Sequence, residues 1–304
     1  MAHAHPAPAS DKYYVPHSSP WPLFGSIALF TLMAGAALTL DGSSIGSSVL
    51  GLGFLLIFSL LFFWFRTVVG ENQAGMYNLA VDRSFRMGMS WFIFSEVMFF
   101  AAFFGALFYA RQFALPWLSG EGAKHMTNVL LWNHFEGGWP TNGPAALGPK
   151  GEGSTFETIP ALGVPLLNTI LLLSSGVTIT IAHHALRAGH RGVLKLFLAL
   201  TFILGFVFVY FQATEYHHAY TELGLTLGTG IYGSTFFMLT GFHGLHVTIG
   251  AIMLLVIWLR TMSGHFTPER HFAFEGVAWY WHFVDVVWLF LFAFIYVVFG
   301  AHGG

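Results

Sequence analysis

Two short apolar motifs carry paired polar side chains: Phe242-His243-Gly244-Leu245-His246 and Trp281-His282-Phe283-Val284-Asp285. Residues three apart lie on one face of a helix. Carboxylate and imidazole groups so placed on facing helices can hold a metal ion in a bundle core. Gln212, Glu215, His217 and His218 form a third group, and His183-His184 a fourth, beside Arg187. The other reading of the first three is hydrogen bonding between helices, while His183-His184, at the cytoplasmic end of its span, reads as an interfacial pair. Glu96 stands apart in Phe92-Ile93-Phe94-Ser95-Glu96-Val97-Met98-Phe99-Phe100, with no Lys or Arg within nine residues on either side. It reads as a proton-handling or reactive carboxyl, or as an acid hydrogen-bonded to a neighbouring helix. Glu215, Glu275 and Asp285 are the other acids within or near apolar stretches. The chain has no cysteine, which excludes disulfides, iron–sulfur clusters and thiolate copper sites.

The elements that position these residues are membrane spans. The chain has 304 residues, 55% hydrophobic and only 9% charged, with a mean hydropathy of +0.66. A soluble domain carries about 25% charged residues. This composition excludes a soluble enzyme, a disordered chain and a nucleic-acid binder, and a net charge of -2 offers no basic field for phosphates. Crossing the bilayer takes about 20 apolar residues. Stretches near 21–40, 48–69, 85–113, 162–186, 193–221, 231–262 and 272–299 qualify, which predicts an all-α polytopic protein with seven transmembrane helices. The first twenty residues lack the apolar core of a cleaved signal and read as a cytoplasmic tail.

Basic residues set the orientation. A cytoplasmic amino terminus places nine of them inside: Lys12, Arg66, Arg83, Arg86, Arg187, Arg191, Lys195, Arg260 and Arg270. Three fall outside: Arg111, Lys124 and Lys150. An odd number of spans puts the carboxyl terminus outside. Segment 71–84 reads as a cytoplasmic loop between the second and third spans. A long outer loop, 114–161, rich in turn formers such as Trp139-Pro140-Thr141-Asn142-Gly143-Pro144, is the natural seam between a three-span half and a four-span half. No internal repeat supports an inverted-repeat transporter. Arg66 and Glu71 close the second span, and Arg260, His265 and Thr267 close the sixth. Such groups can grip lipid head groups, or simply anchor helix ends.

The sequence resembles subunit III of the haem–copper cytochrome c oxidases. The resemblance runs from Ser19-Pro20-Trp21-Pro22 to the last span. It is carried by Phe94-Ser95-Glu96-Val97-Met98-Phe99-Phe100, Val164-Pro165-Leu166-Leu167-Asn168-Thr169 and Ala182-His183-His184-Ala185-Leu186. Further on it rests on Tyr232-Gly233-Ser234-Thr235-Phe236-Phe237, Thr240-Gly241-Phe242-His243-Gly244-Leu245-His246-Val247 and the run from Trp279 to Phe290. The resemblance implies a two-plus-five arrangement, the first two helices (21–70) and a five-helix bundle (85–304) that includes the 114–161 loop, around a V-shaped cleft that holds phospholipids. It implies no catalytic residue, metal or redox centre in this chain: haem a, haem a3 and copper belong to partner subunits I and II of a bacterial aa3-type oxidase acting on cytochrome c. It places a carbodiimide-reactive carboxyl on Glu96 and lipid-gripping residues on Arg66, Glu71, Arg260 and His265. Glu215, His243, His246, His282 and Asp285 remain for an interhelical polar network. The implied role is to stabilise the catalytic subunit, support proton uptake and limit turnover inactivation in the bacterial cytoplasmic membrane.

The loop departs from the family pattern, because Thr141 follows Trp139-Pro140 where a second proline is usual, and the interval is extended on both sides. Subunit III of a related quinol oxidase is the alternative reading, but that branch lacks the first two spans, which Trp21 to Val69 supplies here. A free-standing transporter with Glu96 on its path is the alternative from another class, distinguished by solute movement in vesicles.

Overall fold

A computed structural model describes residues 13–16 and 18–298. Most of the tail expected over 1–20, including Lys12, lies outside the described residues, as does the end from Phe299 onward. Among the described residues, seven helices are long and apolar enough to cross a membrane: α1 Trp21–Leu40, α2 Gly46–Gln73, α3 Leu79–Leu118, α4 Val164–Arg187, α5 Arg191–Thr221, α6 Gly230–Met262 and α7 Phe272–Val298. No strand occurs among the described residues, only an isolated bridge between Gly148 and Gly151. The protein is an all-α, multi-pass membrane protein.

Several helices overrun their apolar runs. α2 continues past Val69 to Gln73 and α3 begins at Leu79, so much of segment 71–84 is helical and residues 74–78 make the link. Hydropathy misses this because the added turns are polar and need no lipid. Local bonds hold them instead. Asn78 Oδ1 accepts from the backbone N–H of Ala80 and Val81 at 3.1 and 3.0 Å, capping α3. Arg86 pairs with Asp82 one turn earlier at 2.8 Å. At the other end of α3 the ladder widens over Ala110–Ala114, just before Pro116. A proline ring clashes with the carbonyl four residues back, and the wider turn relieves that clash.

The chain divides into two compact units, 1–87 and 88–304. In the first, α1 and α2 form an antiparallel hairpin joined by Asp41–Ile45. Small residues set their separation. A Cβ on Gly53 would lie 2.5 Å from the Cα of Leu32, and one on Gly46 would lie 2.5 Å from the backbone nitrogen of Thr39. Gly35 presses in the same way on Leu50. Lipid offers no hydrophobic drive for helix pairing, so close backbone contact supplies it. Thr31, Thr39 and Thr67 donate to carbonyls four residues back, which keeps these three hydroxyl hydrogens from facing hydrocarbon.

The second unit has a real core, made by α4 to α7. In α7, 50% of the span is buried, against 6% in α2, so this helix is the axis of the unit. Trp281 lies between Gly205 of α5 and Gly250 of α6, where any side chain would strike its ring. Its indole N–H donates to Ser175 Oγ of α4 at 2.8 Å. One face further along, Trp288 donates to Thr169 Oγ1 at 2.9 Å and packs edge-on against Phe208, with centroids 4.8 Å apart. The long interval after α3 is ordered rather than a structureless loop. A short helix covers His125–Leu131. Asn142 Nδ2 donates to the carbonyls of Leu147 and Ser154, while Trp139 and Phe156 pack on Tyr232 of α6.

Replacing Gly250 by Val should force Trp281 off Ser175 and destabilise the unit by about 1–3 kcal/mol, the usual cost of overpacking. Thermal unfolding of the purified complex measures this. In the first unit, Gly53→Leu should separate the hairpin and expose the Asp41–Ile45 link to protease.

Candidate functional site: an acid–imidazole pair and two polar helix edges

Glu96 sits midway along α3 and His246 midway along α6, 150 residues apart in sequence. Packing brings Glu96 Oε2 to 2.9 Å from His246 Nε2. The other ring nitrogen, Nδ1, lies 2.6 Å from the carbonyl oxygen of Phe242. A carbonyl only accepts, so Nδ1 carries a hydrogen. Nε2 and Oε2 then need one proton between them, either as carboxylic acid with neutral imidazole or as carboxylate with imidazolium. Both forms have zero net charge, which keeps an uncompensated charge out of hydrocarbon. Phe99 and Phe100 close over the ring, with centroids at 5.9 and 5.1 Å, and Tyr280 donates to the His246 carbonyl at 3.3 Å.

The remaining polar residues fall into separate groups. His243 is buried, and its Nε2 donates to the Val284 carbonyl of α7 at 3.2 Å. Glu215 Oε1 accepts from Tyr296 at 2.8 Å and from Gln212 at 3.4 Å. His217 and His218 point the other way and are exposed, with His218 beside Glu222 at 3.2 Å. His282 lies near Thr180 and Asp285. Glu275 occupies the first turn of α7, where the helix dipole favours an acid. His183 meets the rings of His271 and Phe274, at 5.5 and 5.6 Å. Among the described residues no three His, Cys, Asp or Glu converge as a ligand set.

Two helix ends hold the edge residues, and both are built on a glycine. Gly75 and Gly264 have φ of +73° and +77°, which L side chains resist. Each lets the chain fold back on the helix end, so that Met76 N–H bonds the Glu71 carbonyl at 3.2 Å and His265 N–H bonds the Arg260 carbonyl at 3.1 Å. At the first end, the Glu71 carboxylate accepts from Tyr14 at 3.1 Å and from Tyr77 at 2.6 Å, and Arg66 is exposed one turn back. Burial, followed by the neighbouring Glu71, pushes the Tyr77 hydroxyl above the usual tyrosine range. At the second end, the Arg260 guanidinium lies over the Phe266 ring at 4.6 Å and its Nε has no hydrogen-bond partner. Arg191 donates to the Phe266 carbonyl at 2.6 Å, so a second guanidinium is held at the same turn.

The family model described as cytochrome c oxidase subunit III matches residues 11–118 and 126–300. The chain belongs to the cytochrome c oxidase subunit III family. It is 42% identical over 288 residues to cytochrome c oxidase subunit 3 of Oncorhynchus clarkii, covering 94% of this chain and 97% of that protein. The corresponding protein of Formosania lacustris is 43% identical over 288 residues, with the same coverage. The match omits 119–125, inside the interval that departs from the family pattern. Membership makes the chain a component of a terminal oxidase and implies no redox cofactor of its own.

Sequence reading did not find the partners that complete these groups. Tyr14, Tyr296 and Thr180 stand 57, 81 and 102 residues from the side chains they meet, and no motif links them. Tyr77 was nearer to hand, just beyond the Gly75 turn.

Two predictions concern these groups. Glu96→Leu and His246→Leu should each destabilise the complex, and their double-mutant cycle should show a coupling of roughly 0.6 kcal/mol, up to about 1.7; Glu96→Gln, which can still donate to Nε2, should lose less. Zero coupling in denaturation midpoints would argue against the shared proton. For Tyr77, the neutral hydroxyl is the form that folding favours. Its contribution is therefore complete below the ordinary tyrosine value of about 10 and lost only as pH rises past the raised value. Tyr77→Phe should remove one late-titrating hydroxyl from the alkaline absorbance titration.

Proposed function

We propose that the chain serves the oxidase as a lipid-holding scaffold on which the catalytic subunit stays packed. The observation that carries this reading is Arg260: a cation at a helix end, over the Phe266 ring, whose Nε is buried and unpaired. A buried unsatisfied donor is costly, and a phospholipid phosphate is the acceptor a membrane supplies at that depth. Arg191 and His265 add donors at the same turn. Arg66 and Glu71 form a second contact point for a zwitterionic head group, with Tyr14 and Tyr77 holding the carboxylate. Basic residues gather at the ends of α2, α4 and α6, which supports a cytoplasmic location for both points and for the amino terminus.

On this reading the partners are subunits I and II, which carry haem a, haem a3 and copper and oxidise cytochrome c. The membrane is the bacterial cytoplasmic membrane; the relatives above come from fish, so this part rests on the sequence alone. The family match begins at residue 11 and covers α1 and α2, which favours the cytochrome c branch over the quinol branch. Glu96 is the carboxyl that a hydrophobic carbodiimide would modify, because its acid form faces the apolar middle of the bilayer. Bound lipid and the Glu96–His246 pair together keep proton uptake efficient and limit inactivation during turnover.

Arg260→Ala and Arg66→Ala should lower the phosphorus content of the purified oxidase and shorten its lifetime under turnover, with the initial rate less affected. Lipid content and lifetime both matching the parent complex would refute the scaffold reading.

A further inference from the structure

The interval after α3 opens with a short helix turned inside out. α3 ends at Leu118, and a tight turn over Gly122–Lys124 leads into the helix His125–Leu131. Its polar residues face the protein. Thr127 Oγ1 accepts from the Trp117 indole at 3.0 Å, and Asn128 Nδ2 lies within 3.2 Å of the Leu118, Trp132 and Phe135 carbonyls. Its apolar residues face out. Met126, Val129 and Leu130 stand three and four apart and so share a face, and they are 59%, 46% and 71% exposed. Leu131, beside them, is exposed as well. In water this polarity would be unfavourable, because the apolar face is the wet one.

Position says what covers that face. Phe108, Tyr109 and Phe113 are exposed on α3, a membrane span, with the Phe113 ring against the other two at 6.0 and 5.7 Å. Trp117, also exposed, follows four residues on and bonds Thr127. The lipid-facing surface of α3 therefore leads onto the short helix. Depth agrees. A Cβ on Gly137 would lie 2.6 Å from Ser119 Oγ at the tip of α3, and Trp139 packs on Tyr232 near the start of α6 at 5.5 Å, so these ends share one level. From Tyr232 to Arg260, α6 runs about 42 Å at about 1.5 Å per residue, the thickness of a bilayer with its head groups. Tilt only brings Tyr232 nearer the hydrocarbon. Lys124 holds its ammonium over the Trp117 ring at 3.9 Å, at a level where phosphates supply the opposite charge and tryptophan is favoured.

We propose that the helix His125–Leu131 lies in the head-group layer on the side where α3 ends, with Met126, Val129 and Leu130 sunk to the start of the acyl chains and Lys124 at the phosphates. A helix with one apolar face binds the bilayer surface in this way. It pins the interval between α3 and α4 to the membrane, where a polar loop would otherwise stand in water. The family match skips 119–125, so the turn that delivers the helix to this surface lies outside the family pattern. The inference needs a membrane around α3 and does not need Arg66 or Arg260 to hold lipid, so either reading can fail without the other.

The native chain has no cysteine, so Leu130→Cys gives this subunit a single thiol, and the parent complex treated alike supplies the background from other subunits. In the intact oxidase in phospholipid nanodiscs, bimane on that thiol should lose most of its fluorescence to phosphatidylcholine carrying a nitroxide near the head of its acyl chain, and little to aqueous iodide. Strong quenching by iodide would put the helix in water, and protection from both quenchers would put it under another subunit; either result overturns the proposal. Adding Val129→Asp, which sets a charge in the apolar face, should shift quenching from the nitroxide lipid towards iodide. An unchanged balance would overturn burial of that face in lipid. Both residues are exposed, so the test does not depend on a variant that disturbs folding.

Discussion

Two buried indole N–H groups organise the larger unit. In hydrocarbon a tryptophan has no water to bond, so each indole must find an acceptor on another helix or cost several kcal/mol. Trp281 finds Ser175, and Trp288 finds Thr169. Both acceptors are on α4 and both donors on α7, so the two bonds set the rotation and the rise of one helix against the other. The glycines on α5 and α6 then determine how near those helices come, because Trp281 fills the space their missing side chains leave. The five-helix unit is arranged around the last span for this reason, and the hairpin of α1 and α2, which has no such axis, keeps a thin contact of glycine on backbone.

The polar groups follow from the same constraint. A lone carboxylate in the bilayer is expensive, and the structure handles each acid differently. Glu96 shares a proton with His246. Glu215 accepts from a tyrosine and a glutamine. Glu275 is placed at a helix start. Asp285 sets one oxygen against Gly176, and its other oxygen, like Glu215 Oε2, is buried without a hydrogen-bond partner.

The helix ends work by another rule, because water and head groups are available there. Glycine turns at Gly75 and Gly264 return the chain over the last carbonyls and hold Glu71 and Arg260 at fixed points. Tyrosines complete the first point. An aromatic ring under the guanidinium completes the second and leaves part of the cation unpaired. The lipid-holding role proposed above draws on this incomplete group, since a fully paired arginine would have nothing to offer.

Length and apolarity were enough to place all seven spans, because the hydrocarbon thickness imposes one length scale on every helix. Runs such as Phe94 to Phe100 and Trp279 to Phe290 were enough to show the family. The sequence also showed that Glu96, Asp285 and the paired histidines needed an explanation. It did not show which partner each would take. A helix that is apolar all round has no preferred face, so its rotation is set by knobs and gaps on its neighbours rather than by its own pattern. His243 and His246 share one spacing, yet one turns to the Val284 carbonyl and the other to Glu96. Glu215 has two histidines beside it in sequence and bonds Tyr296 instead. Rotation about the helix axis, decided by packing around Trp281 and Trp288, made those choices.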